Sequence, residues 1–180
     1  MNYKVHDGPY YMAQGYIDAR EDDCCITNKR QAVDLCGGTY CQMGSTAYIN
    51  GKVSKCVVWC PNNSPSNVWS NILEQNEDVF REYRRGTDAD TKKHIDECNS
   101  ENCRTYIEDP IIRIIFLRED GNTYYRFLGI YVLDVKTSKE NNELVWRRIS
   151  MRLNLSELPR ILDLAKCVNN AVVQSSCGLI

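Results

Sequence analysis

At 180 residues the chain lies within the size range of one globular domain, and its 43% apolar and 26% charged residues exclude a disordered or fibrous protein. The formal net charge of -2 excludes a global basic field, so any surface that binds nucleic acid must be local. Residues 1–16 lack the apolar run of roughly 7 to 15 residues that a signal peptide needs, and no window approaches the roughly 20 apolar residues of a membrane span. We therefore expect an intracellular protein, cytoplasmic or nuclear, with no membrane partner.

The N-terminal third is rich in cysteine and broken into short pieces by glycine. Two close pairs, Cys36 with Cys41 and Cys56 with Cys60, offer the four thiolates that tetrahedral zinc requires. One alternative is that the cysteines form disulfides, which the missing signal peptide disfavours. The other, which we favour, is that most of them are small buried apolar residues in a reducing cytosol. We expect no cofactor other than this zinc alternative.

The first predicted elements follow these glycines. Asn50-Gly51 lies between Thr46–Ile49 and Val53–Trp59, which predicts a hairpin with a two-residue turn. The segment Pro61–Asn67, with its prolines and asparagines, must be a loop. Beyond it we predict a strand at Val79–Tyr83.

The second half of the chain gives the clearest structural signals. Asp90 or Thr91 is suited to cap a short helix within Asp88–Cys98. Long runs rich in β-branched and aromatic residues predict an antiparallel strand pair, followed by a third strand after a polar turn and by an amphipathic helix. The corresponding ranges are Ile111–Leu117 and Tyr124–Leu133 for the pair, Leu144–Ile149 for the third strand, Ser138–Asn142 for the turn and Ser156–Val173 for the helix.

A metal-dependent nuclease is one enzymatic hypothesis that the sequence supports. Two histidines leave little room for histidine-based catalysis, and no phosphate-binding glycine loop is present. An Asp followed by an Asp-x-Lys triplet can bind magnesium and orient a water for phosphodiester attack, as in PD-(D/E)xK nucleases. Asp120 with Asp134 and Lys136 fits this pattern, and Asp109 is another candidate first ligand. The alternative is that these are turn carboxylates and a solvated strand end.

A stretch that mixes aromatic and basic residues supports a different hypothesis, binding of nucleic acid. It combines flat rings for base stacking with hydrogen-bond donors for phosphates and base edges, at Trp69, Asn71, Arg81, Tyr83, Arg84 and Arg85. Arg147 and Arg148, beside Trp146, could extend the same face. The alternative is that the aromatic residues belong to the core and the arginines are solvated.

The segment from Ser66 to Ser150 resembles the PUA-like domains grouped with the SRA and EVE readers of modified bases, which are often associated with restriction nucleases. The resemblance lies in the order of "SNVWSNIL", "DVFREYRRG", "IIRIIFLRED", "YYRFLGIYVLD" and "VWRRIS". It implies an α+β fold with a curved, barrel-like antiparallel sheet and flanking helices. We therefore predict a single domain over 1–180, with a cysteine-rich part at 1–65, a PUA-like sheet core at 66–150 and a closing helix within 151–180.

The resemblance also implies a function, the recognition of a modified base that is flipped out of duplex DNA. On that basis Trp69 and Tyr83 are candidates for stacking, Asn71 for a base edge, and Arg84 and Arg85 for the flanking phosphates. We expect a non-catalytic sensor of a restriction or defence system, with a nuclease as partner. The magnesium-dependent nuclease, and a protein-interaction or inhibitor domain with a structural zinc, remain alternatives.

Overall fold

The computed structural model describes residues 3–40, 46–49, 56–63, 69–84, 88–99 and 112–160. These residues form a mixed α+β fold with four α-helices and a final 3-10 helix. The helices are α1 (Gly8–Gln14), α2 (Lys29–Leu35), α3 (Asp88–Asn99), α4 (Val135–Asn141) and the 3-10 helix Leu155–Arg160. None of the helices in this described part of the chain is long and apolar enough to span a bilayer.

One large sheet dominates the fold, and it takes strands from both halves of the sequence. The strands are β1 (Val5–His6), β2 (Tyr16–Asp18), β3 (Cys25–Ile26), β4 (Gly38–Thr39), β5 (Thr46–Ile49), β6 (Cys56–Trp59), β7 (Trp69–Leu73), β8 (Val79–Arg84), β9 (Ile112–Leu117), β10 (Tyr125–Leu133), β11 (Leu144–Ser150) and β12 (Arg152–Asn154). The order across the sheet is β4-β5-β6-β9-β10-β11-β8-β7, β3 also pairs with β10, and β12 with β2 forms a separate two-stranded sheet. The sheet is mainly antiparallel, with parallel pairing of β6 to β9 and of β1 to β3.

The predicted central strands are confirmed. Strands β9 and β10 pair antiparallel, with Phe116 opposite Phe127, and β11 follows on the other side of β10. Near Gly129, strand β10 shifts its register against β9. Gly129 has a φ of 128°, a backbone conformation that side chains strongly disfavour. The glycine therefore permits the irregularity at the middle of the longest strand.

The sheet is strongly curved, so side chains from distant strands meet on its inner face. Trp59 of β6 and Phe80 of β8 lie four positions apart in the strand order, which would separate their backbones by roughly 19 Å in a flat sheet. Their ring centroids are nevertheless 5.0 Å apart. We call the surface that carries Trp59, Phe80 and Trp146 the inner face; its apolar residues pack with Ile95 of α3.

The opposite, outer face packs against the N-terminal helices. Asp7 caps α1 by accepting a hydrogen bond from the Tyr10 amide, and Gly15 ends the helix in the left-handed conformation. Tyr11 is fully buried there and its hydroxyl donates to the carbonyl oxygens of Asp23 and Cys25. The N-terminal third is thus part of the same core, and the sheet extends beyond the predicted range of 66–150.

Three other predictions have different outcomes. The antiparallel pairing of Thr46–Ile49 with the strand that ends at Trp59 is confirmed, and its Asn50-Gly51 turn lies outside the described residues. The predicted polar turn Ser138–Asn142 is wrong, because most of it belongs to helix α4, which Asp134 caps. The described part of the predicted C-terminal helix is 3-10 helix, and the remainder lies outside the described residues.

Candidate nucleic-acid interface

Strands β7 and β8 form a hairpin that places two polar side chains, Asn71 and Glu82, on the inner face of the sheet. Trp69 lies opposite Arg84, and Asn71 lies opposite Glu82. Residues directly opposite each other in an antiparallel pair project to the same face with their Cβ atoms about 5 Å apart. Because Leu73 and Phe80, also opposite each other, pack into the inner cluster, Asn71 and Glu82 also face inward.

The side chain of Asn71 has one partner and one free acceptor. Its Nδ2 donates to the carbonyl oxygen of Asn62 at 2.8 Å, and Asn62 itself accepts a hydrogen bond from Arg118 at 2.8 Å. Its Oδ1 is buried and has no hydrogen-bond partner among the described residues. A buried polar atom without a partner costs roughly 1–3 kcal/mol, so the site is suited to a ligand that donates a hydrogen bond.

Glu82 forms a partly buried ion pair with a residue from across the curved sheet. Its Oε2 accepts a hydrogen bond from Arg113 Nη1 at 2.8 Å, and the two side chains are 12% and 15% exposed. The Arg113 guanidinium lies 4.1 Å from the ring centre of Trp59 and 3.8 Å from that of Trp146, so two indoles flank it. Trp146 Nε1 is also buried without a partner among the described residues.

The rim of this surface is aromatic and moderately basic. The ring centroid of Trp69, which is half-buried, lies 5.4 Å from that of His94 on helix α3, in an edge-to-face arrangement. The Arg84 side chain is 45% exposed and lies 3.9 Å from Asp90, a distance that makes a weak ion pair. Aromatic and basic groups therefore border the polar pair Asn71 and Glu82.

The structure separates the other predicted binding residues from this surface. Tyr83 lies opposite Ser70, so it projects to the outer face, away from Asn71. Arg147 also projects outward and forms an ion pair with Asp134 at 2.5 Å. Arg148 is on the inner side, but its side chain is only 6% exposed and is held by Asp78 at 2.7 Å. Arg85 lies outside the described residues.

The carboxylates of the nuclease hypothesis do not converge. Asp120 lies in the turn before β10 and Asp134 immediately after it, so the nine-residue strand separates them by roughly 25 Å. Asp134 caps α4 through Thr137 and pairs with Arg147, while Lys136 is exposed on that helix. The predicted grouping of Asp120, Asp134 and Lys136 is therefore wrong, because one metal ion cannot bridge that distance; Asp109 lies outside the described residues.

The cysteines of the zinc hypothesis lie in the core. Cys36, Cys56 and Cys60 are buried among apolar side chains, and burial raises the pKa of Cys56 and Cys60 to about 12. Within the described ranges no three His, Cys, Asp or Glu side chains form a group that could hold a metal ion. Cys41 lies outside these ranges, so the four-cysteine zinc site stays a prediction.

Comparison with known proteins identifies the family. The sequence matches the SET and RING associated (SRA) domain over residues 10–155, most of the chain. The chain belongs to the SRA domain family. This confirms the predicted relationship, and the match includes most of the cysteine-rich N-terminal third.

One solved structure supports the same fold. The SRA fold of this chain is similar to that of the 5-hydroxymethylcytosine-specific restriction enzyme AbaSI, with a TM-score of 0.59 and 20% sequence identity. The similarity covers 82% of this chain and 45% of that one, so the chain spans less than half of AbaSI. No curated protein matches the sequence.

Sequence reasoning missed Glu82 and Arg113. Glu82 lies in the charged stretch of β8, where an acidic residue is expected to be solvated. Its spacing of two residues from Phe80 nevertheless places both side chains on one face of a strand. Arg113 interrupts the apolar run 111–117, and a lone arginine in a buried strand indicates a partner within the core. Those two signals could have identified each residue, but not their contact with each other.

Proposed function

We propose that this SRA domain recognises a modified cytosine in duplex DNA, which it takes out of the base stack and binds on the inner face of the sheet. The observation that supports this most is the pair Asn71 and Glu82, two adjacent inward-facing acceptors of which Asn71 Oδ1 is buried without a partner. A flipped base offers hydrogen-bond donors on its edge and a flat face for stacking. Trp69, at the rim, is suited to stack on it.

The chemistry of the two acceptors favours cytosine over thymine. The exocyclic amine of cytosine is a hydrogen-bond donor, whereas the corresponding group of thymine is an acceptor. Asn71 Oδ1 can accept from that amine, and Glu82 lies beside it on the next strand. Arg84, and Arg85 beyond the described range, supply charges for the flanking phosphates, where contacts add affinity without sequence preference.

We further propose that the domain is the recognition unit of a restriction or defence system and that a nuclease unit performs cleavage. AbaSI is a restriction enzyme, and this chain spans less than half of its length. Among the described residues, the carboxylates expected for a nuclease lie at opposite ends of β10. Recognition and cleavage would therefore reside in different units.

The test is a fluorescence titration with matched duplexes that carry cytosine, 5-methylcytosine or 5-hydroxymethylcytosine at one position, at two salt concentrations and with magnesium present. We expect tighter binding of a modified duplex, no cleavage by the purified chain, and weaker binding at high salt. Replacement of Asn71 by Ala should weaken binding of the preferred duplex by roughly tenfold, because Asn71 contacts the exocyclic amine and a good base-edge contact contributes about 1–3 kcal/mol.

The matched control is Asn141→Ala, which removes an exposed asparagine from helix α4 and should leave the affinity unchanged. Failure of every duplex to bind below about 100 µM at low salt would refute the proposal, since even non-specific DNA binders reach that affinity. Cleavage by the purified chain would instead refute the assignment of cleavage to a separate unit.

A further inference from the structure

Arg113 is the residue that fixes Glu82 in place. Its guanidinium lies between Trp59 on β6 and Trp146 on β11, at 4.1 and 3.8 Å from their ring centres. The two rings are 6.3 Å apart and inclined by 46°, so cation–π contact holds the planar group from two directions and restricts its rotation. Glu82 Oε2 accepts one of those N–H bonds at 2.8 Å.

This arrangement also determines which oxygen of Glu82 a ligand would meet. Oε2 is occupied by Arg113, and Oε1 has no hydrogen-bond partner among the described residues, while the side chain keeps 12% of its surface exposed. The neighbouring acceptor, Asn71 Oδ1, is held by the Nδ2 contact to Asn62. Asn71 Oδ1 and Glu82 Oε1 are thus two acceptor oxygens on the neighbouring strands β7 and β8. Each is held in place because the other polar atom of the same side chain has a hydrogen-bond partner.

Resting on the proposed function, we propose that Arg113 is a positioning residue that makes the site selective for bases with an exocyclic amine, and thus for cytosine derivatives over uracil derivatives with the same 5-substituent. A fixed pair of acceptors binds an amine with two N–H donors and disfavours a carbonyl oxygen. If Glu82 could rotate freely, or present a donor, this discrimination would be lost. Arg113 acts through Glu82 and need not touch the base.

The experiment compares binding of duplexes with 5-hydroxymethylcytosine opposite guanine and 5-hydroxymethyluracil opposite adenine in one sequence context. The measured quantity is the ratio of the two dissociation constants, and each variant is compared with the wild type on the same two duplexes. We expect Arg113→Lys and Glu82→Gln each to reduce the preference for the cytosine derivative roughly tenfold. Lysine keeps the charge but lacks the planar group that two indoles can hold.

Two further variants separate positioning from general stability. The double variant Arg113→Lys with Glu82→Gln should lose no more preference than Glu82→Gln alone, since both changes act through one carboxylate. Trp59→Phe removes part of one aromatic surface but leaves Arg113 in place, so it should give a smaller loss of preference for the cytosine derivative. This variant replaces Arg113→Lys in the experiment if Arg113→Lys does not fold. Arg81→Lys is the matched control: it alters an arginine on the outer face of β8 that binds Glu74 and Glu143, and it should leave the ratio unchanged.

The outcomes distinguish this inference from the function on which it rests. An equal loss of affinity for both duplexes in Arg113→Lys and in Trp59→Phe, with an unchanged ratio, would overturn the positioning role. The wild-type chain could prefer 5-hydroxymethylcytosine over unmodified cytosine while Arg113→Lys and Trp59→Phe keep the wild-type ratio of dissociation constants for the cytosine and uracil derivatives. That result would overturn the inference alone. A wild-type chain that binds no duplex would overturn both.

Discussion

Replacement of Gly129 by Ala should destabilise the fold strongly. A Cβ atom at this position would lie 2.4 Å from the carbonyl oxygen of Ser150 and 2.9 Å from Cδ of Arg148. The first of these neighbours is backbone and cannot rotate away. In addition, the φ of 128° is a conformation that alanine disfavours by roughly 1–3 kcal/mol. Relief of the clash requires strands β10 and β11 to separate, which adds a cost like that of overpacking, about 1–3 kcal/mol.

The expected total loss is about 2–6 kcal/mol, a large part of the 5–15 kcal/mol that stabilises a typical domain. Urea unfolding followed by circular dichroism measures it, with soluble yield as a second readout. Gly15→Ala is the matched control, because Gly15 also has a positive φ, 81°, but an added Cβ would meet nothing within 4 Å. It should cost about 1 kcal/mol, the strain of a left-handed alanine alone.

The difference between the two variants therefore isolates the steric clash between β10 and β11. A Gly129→Ala protein that unfolds at the same urea concentration as Gly15→Ala would refute the reasoning. Such a result would mean that the strands adjust without cost and that the register shift near residue 129 does not depend on glycine.

Two other predictions concern acid stability and thiol reactivity. The hydrogen bond from Arg20 holds the pKa of Asp18 below its ordinary value of 3.8, so this stabilisation is present above that pH and is lost as the pH falls through the lower folded pKa. Asp18→Asn should cost about 1–2 kcal/mol in urea melts at pH 7 and little at pH 2, and an equal cost at both would contradict the assignment. Five of the ten cysteines, Cys24, Cys25, Cys36, Cys56 and Cys60, are buried, so at most five thiols should react with an aromatic disulfide reagent at pH 8 before unfolding. A sixth fast-reacting thiol in the native protein would show that one of these five is accessible.

The sheet core was predictable because its strands carry strong local signals. The runs around Ile114 and Phe127 are β-branched and aromatic over more than five residues, and burial on both faces selects such residues. The family resemblance rested on the same stretches. Close packing of β10 on β11 requires Gly129, within "RFLGIYVLD", because an added Cβ atom would clash with the backbone of β11.

The N-terminal helices and part of the site were not predictable, for different physical reasons. Helix α1 begins at Gly8-Pro9, which the sequence suggests is a break, although proline is well suited to a first helical turn. Asp134 was a candidate metal ligand in the nuclease hypothesis, and the structure shows that it caps α4. Of the predicted site residues, Trp69 and Asn71 lie on one surface, while Tyr83 faces away from it, because side chains alternate between the two faces of a strand. The pairing of Arg113 with Glu82 depends on curvature that no local pattern encodes.

The parallel pairing of β6 with β9 has a consequence for how recognition could diversify. Strand β6 ends at Trp59, opposite Ile115, and β9 begins at Ile112, opposite Cys56, so the excursion between these two parallel strands must cross from one end of the pair to the other. The excursion contains Trp69, Asn71 and Glu82, whereas strands β6, β9 and β11 carry Arg113 and the two indoles that contact it. Within this excursion, β7 and β8 form one edge of the large sheet, where β8 pairs with β11. Because β7 lies at the edge of the sheet, a different base preference could arise by substitution of Trp69 or Asn71 with less disturbance of the strands that carry Arg113 and the two indoles.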